Sequence, residues 1–83
     1  MAKRKSISHV VTNGKAAVAL RRQLGLNQSQ FWSRVNVTQS GGSRYESGRA
    51  IPNPVQTLLT IAYGNDKQVD AMVAWLRGSV TPS

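Results

Sequence analysis

The stretch Asn27-Gln28-Ser29-Gln30-Phe31-Trp32-Ser33-Arg34-Val35-Asn36-Val37-Thr38 decides the fold of this chain. Asparagine is a strong N-cap, because its side-chain oxygen accepts from a backbone N–H that the first helical turn leaves unpaired. A helix capped by Asn27 places Phe31 and Val35 at i and i+4, on one inward face. Asn36 then falls where the chain must turn, and asparagine is one of the few non-glycine residues that tolerate the left-handed conformation. After a turn of about three residues, Thr38 is a second good cap. The stretch reads as helix, tight turn, helix.

Working outward, the helix opened by Thr38 runs through Gln39-Ser40-Gly41-Gly42-Ser43-Arg44-Tyr45-Glu46 and ends near Ser47-Gly48. Ile51-Pro52-Asn53-Pro54 is expected as an extended loop, since the residue before a proline is pushed away from helical angles. Asn53 is the expected cap and Pro54 the first residue of a fourth helix, with Val55, Leu58, Leu59 and Ala62 on its buried side and Gly64 as its stop. Asp66 is the expected cap of a fifth, from Lys67 to Arg77, stopped by Gly78. Its apolar set, Val69, Met72, Val73, Trp75 and Leu76, is wide for so short a helix. Upstream, a first helix is expected from Gly14 or Lys15 to Leu24, capped by Thr12 or Asn13 and stopped by Gly25, with Ala17, Leu20 and Leu24 as its inner stripe and Val18 on the shoulder. The expected organisation is all-α: a basic arm over residues 1–11, a five-helix domain over 12–78 and a short tail over 79–83.

Composition narrows the chemistry. A chain of 83 residues makes one small domain, which buries only about 60 to 65% of the surface its unfolded form exposes. With no cysteine, disulfides, thiolate zinc sites and cysteine nucleophiles are excluded, and the single His9 cannot build a metal cluster. The only carboxylates are Glu46, Asp66 and Asp70, so no acid–base constellation points to an enzyme; no catalytic residue, metal, cofactor or small-molecule ligand is expected. No apolar run approaches the roughly 20 residues of a membrane-spanning helix. The first residues do not lead into a signal-peptide core, and a soluble cytoplasmic protein is expected.

The net charge is +8, and its distribution is one-sided. From Met1 to Arg49 nine cations face one anion, Glu46, whereas from Ala50 onward Lys67 and Arg77 balance Asp66 and Asp70. Such a half-molecule suits a polyanion, and double-stranded DNA fits best, because a helix-turn-helix places its second helix in the major groove. RNA is disfavoured by the lack of exposed aromatics for stacking. In the helix opened by Thr38, the exposed face carries Gln39, Ser40, Ser43 and Arg44: glutamine pairs with adenine, arginine with guanine, and serine adapts to either. Asn27, Thr38, Arg49 and Asn53 stand at helix starts or in the loop, where phosphate is met. Lys3, Arg4 and Lys5 can follow the backbone or enter the minor groove, the alternative being a solvated tail. One reading head recognises few base pairs, so a homodimer on an inverted repeat is expected. Met72, Val73, Trp75 and Leu76 are the candidate interface, the alternative being that Trp75 closes the monomer core.

Leu26-Asn27-Gln28, Thr38-Gln39-Ser40-Gly41 and Arg44-Tyr45-Glu46-Ser47-Gly48-Arg49 together resemble the lambda-repressor-like (XRE, Cro/C1) helix-turn-helix family, over about residues 14–64. The resemblance implies a sequence-specific transcriptional regulator, a repressor in the simplest form. It also implies that Gln28, eleven residues before Gln39, shares a hydrogen bond with it and touches a phosphate, and that Arg21 and Glu46 form a partly buried salt bridge. An antitoxin that binds a protein partner as well as its operator is the alternative. Three positions depart from the family pattern: Trp32 where alanine is usual, Asn36 where the turn usually has glycine, and Gly42 where Val or Ile is usual. Large and small residues look exchanged, with Trp32 filling the space that Gly42 vacates.

Overall fold

The computed structural model describes residues 8–78. Their regular structure is five helices, α1 (Gly14–Gln23), α2 (Gln28–Ser33), α3 (Gln39–Glu46), α4 (Asn53–Tyr63) and α5 (Asp66–Arg77), and no strand occurs among the described residues. Local side chains start three of them as their sequence suggests. Asn13 Oδ1 accepts from Ala16 N at 2.9 Å, Asn27 Oδ1 from Gln30 N at 2.8 Å, and Thr38 Oγ1 from Gly41 N at 3.1 Å. Gln30 returns its own side-chain oxygen to the Asn27 N–H at 2.9 Å, closing a capping box. Between α2 and α3, Asn36 takes φ 61°, the left-handed geometry that reverses the chain.

The core gathers Val11, Ala17, Phe31, Trp32, Val35, Ile51 and Leu59. Phe31 is its centre. The Trp32 ring meets it edge-on with centroids 5.1 Å apart, and Tyr63 stacks on it at 4.5 Å. Tyr63 Oη also donates to the Phe31 carbonyl at 2.6 Å, which ties α4 to the end of α2. α3 packs on α1 and α2, and α5 packs on α4. The close approach of α1 to α3 requires Gly14: a Cβ there would overlap the Tyr45 carbonyl, with Tyr45 C at 3.0 Å.

Several expectations change. Pro52, not Asn53, occupies the cap position of α4, with no side-chain cap bond. Asn65 caps α5 in a second capping box with Gln68, and Asp66 is its first residue. Leu24 and Leu58, assigned to buried faces, are 46% and 44% exposed, and Ala62 is exposed as well. Met72, assigned to a dimer interface, is fully buried within the single chain. Gly64 does end α4, in an extended conformation.

The body of the domain also begins earlier than residue 12. Val11 is fully buried. Val10 N donates to Thr60 Oγ1 at 3.2 Å, and His9 Nε2 shares a 3.3 Å hydrogen bond with Thr57 Oγ1. Residues 9–11 therefore dock on α4, because the buried Thr60 hydroxyl, which donates to Gln56 O at 2.9 Å, still has a lone pair to offer.

Candidate nucleic-acid interface

α3 is held at its last residue, Glu46. Glu46 accepts four hydrogen bonds: Arg21 Nε to Oε2 at 2.9 Å, Arg21 Nη2 to Oε1 at 3.0 Å, Gln28 Nε2 to Oε1 at 3.0 Å and Trp32 Nε1 to Oε2 at 2.8 Å. The Arg21–Glu46 pair is bidentate, with the two side chains only 15% and 6% exposed. Arg21 Nη1 reaches further, to the Leu26 carbonyl at 3.2 Å, so one guanidinium joins α1, the loop before α2 and the end of α3. Burial is the largest single influence on the Glu46 carboxyl and opposes its ionisation. The hydrogen bonds from Arg21, Gln28 and Trp32 and the charge of Arg21 together outweigh it, and the carboxyl titrates below its ordinary value.

With that end fixed, α3 presents its other face outward. Gln39, Ser40, Ser43 and Arg44 line one concavity of about 390 Å³, and Gln28 of α2 completes it. These residue types supply donors and acceptors to a base edge. Asn27 and Thr38 stand at the starts of α2 and α3 with their side-chain oxygens turned back as caps. That leaves the Asn27 amide hydrogens and the Thr38 hydroxyl hydrogen as donors. Arg49 is exposed in the loop after α3, anchored through its own N–H to the Arg44 carbonyl at 3.0 Å. The loop is pinned from below by buried Ile51, whose carbonyl accepts from Gln56 Nε2 at 2.8 Å.

Two assignments move. Gln28 gives its amide N–H to Glu46 rather than to Gln39, because the acceptor-only carboxylate lies within reach and is only half matched by Arg21. Asn53 is the first residue of α4 rather than its cap, and lines a different, apolar groove of about 490 Å³ with Pro54, Leu58, Ile61, Trp75 and Leu76. Lys3, Arg4 and Lys5 lie outside the described residues. Two residues were not singled out by sequence: Lys15, which shares a cavity of about 530 Å³ with Asn13, Ser47 and Arg49, and Gln56. Lys15 had only its charge to mark it.

The model of the RsaL-like helix-turn-helix domain matches residues 18–62, more than half of the chain, from within α1 through nearly all of α4. The chain belongs to this family. No curated protein and no solved structure matches significantly. Membership of the RsaL-like family places the chain among DNA-binding regulators of the helix-turn-helix kind. The matched span holds α2, the Asn36 turn and α3 in full, so the RsaL-like motif and the polar concavity of Gln28, Gln39, Ser40, Ser43 and Arg44 are the same piece of structure. Among the described residues, no helix is long and apolar enough to cross a membrane, and no group of three His, Asp or Glu side chains could hold a metal.

Proposed function

We propose that the chain is a transcriptional repressor that binds an inverted-repeat operator as a homodimer, with α3 in the major groove. The observation that carries this reading is the convergence of Gln28, Gln39, Ser40, Ser43 and Arg44 on one outward concavity at the motif. Gln39 reads adenine through its N6 and N7 edge and Arg44 reads guanine through O6 and N7, with Ser40 and Ser43 adapting between them. Asn27, Thr38 and Arg49 meet phosphates on either side, and Lys3, Arg4 and Lys5 extend the basic surface along the backbone. Repression follows from position, since a protein seated on a promoter blocks polymerase.

Dimerisation uses the electrically balanced half of the chain, where two strongly basic copies can approach. Leu58 and Ile61 of α4 with Val73, Trp75 and Leu76 of α5 form the contact; Leu58 and Leu76 are 44% and 46% exposed, whereas Met72 belongs to the monomer core.

Selection from a pool of random duplexes tests the reading. It should recover an inverted repeat. On the recovered site, Gln39→Ala or Arg44→Ala should cost about 1 to 3 kcal/mol and relax preference at one base pair, whereas Arg49→Ala should weaken all sequences alike and flatten the salt slope by about one. Equal losses on selected and random duplexes for the Gln39 and Arg44 variants would remove the base-reading roles.

A further inference from the structure

Trp32 sits where the scaffold of the motif meets its reading face. Its indole is fully buried and lies against the α3 backbone at Gly42: a Cβ on that residue would overlap the ring, falling 2.7 Å from Nε1. Four residues on, one helical turn further along the same face of α3, Glu46 takes the indole N–H at 2.8 Å. The indole therefore spans a turn of α3 and is bonded to the residue that ends it. Arg21 also holds Glu46, but through a long side chain that is 15% exposed, whereas the indole has only two side-chain torsions and no room to move.

The other oxygen of Glu46 fixes Gln28. A carboxylate only accepts, so the atom of the Gln28 amide 3.0 Å from Oε1 is the nitrogen, and the amide oxygen points elsewhere. Gln28 at the same time lines the concavity of Gln39, Ser40, Ser43 and Arg44. Its oxygen cannot bond a phosphate, which offers no hydrogen. It can accept an N–H from the Gln39 amide or from a base amino group.

We propose that Trp32 is a positioning residue for DNA reading: through Glu46 it holds the Gln28 amide with its oxygen turned to the reading surface, making Gln28 part of sequence discrimination. This rests on the operator-binding reading above. The step from Trp32 to DNA runs through two hydrogen bonds and needs no contact between the indole and a base.

The test compares Trp32→Phe with wild type on the selected duplex and on a random duplex at one salt concentration. Phenylalanine keeps an aromatic ring and removes the N–H. The expected result is a fall in the selected-to-random affinity ratio of about fivefold or more, the lower end of what one bidentate base contact discriminates, with random-duplex affinity unchanged. In a Gln28→Ala background the same substitution should leave the ratio where Gln28→Ala alone puts it. An unchanged ratio for Trp32→Phe, or a fall that persists undiminished without Gln28, overturns the proposal. Should Trp32→Phe not fold, the wild-type protein decides: the Trp32 indole N–H resonance should move on titration with the selected duplex and much less with the random one, and equal movement overturns it. A wild type with no preferred duplex is a different outcome, which removes the operator reading itself.

Discussion

Adding one methyl group at Gly42 should destabilise the domain. The Cβ of Gly42→Ala would overlap the Trp32 indole, 2.7 Å from Nε1 and nearer still to the adjoining ring carbons, so one side has to shift. The ring is fully buried and braced edge-on against Phe31. If it retreats, it forfeits its bond to Glu46, and a hydrogen bond to a charged group contributes about 1.5 to 3 kcal/mol. If α3 moves away instead, overpacking of this kind costs about 1 to 3 kcal/mol. Opposing either is helix propensity, which favours alanine over glycine by about 1 kcal/mol. The balance is a net loss of up to about 2 kcal/mol, which in a domain of this size lowers Tm by up to roughly 15 °C. Gly41→Ala is the internal control. Its Cβ would meet only side-chain atoms, Val37 Cγ1 at 3.2 Å and Thr38 Oγ1 at 3.3 Å, so it should stay within about 1 kcal/mol of wild type. Thermal denaturation followed by circular dichroism measures both, and Gly42→Ile should fall lower than Gly42→Ala. A Gly42→Ala protein that melts at or above wild type, or together with Gly41→Ala, refutes the packing of Trp32 into the Gly42 gap.

Other consequences are as direct. The Glu46 carboxyl is held below its ordinary value, so the stability its ionised form contributes is complete above the unfolded value, about 4.3, and is lost as pH falls through the folded one. Acidification should therefore lower the Tm of wild type more steeply than that of Glu46→Gln; parallel curves would exclude the network. Tyr63→Phe strips the Phe31 carbonyl of its 2.6 Å donor and should cost about 1 to 2 kcal/mol in urea denaturation, with no effect telling against a role for that bond. Leu76→Glu and Leu58→Glu change exposed positions and should leave the fold intact while abolishing association in sedimentation at micromolar concentration; persistence of the dimer would move the interface elsewhere.

What could be read from the sequence alone was whatever depends on neighbours within a turn. Asn13, Asn27 and Thr38 cap their helices because a side-chain oxygen reaches only the N–H groups just ahead of it, and Asn36 reverses the chain through its own φ. The position of α3 behind that turn, and the set of side chains on its outer face, follow from those caps and from helical periodicity. The tertiary structure decided matters of partnership. Leu58 and Met72 belong to helices whose apolar residues cover more than one face, so which is sealed depends on how α4 and α5 lie against each other; Met72 went inside and Leu58 stayed out. Val11 joins the core because Leu59, and the Thr60 hydroxyl that takes the Val10 N–H 50 residues away, come to it from the far end of the domain, which no local pattern reports. Gln28 likewise had two possible partners, and the folded arrangement put the Glu46 carboxylate, a stronger acceptor than an amide, within 3.0 Å.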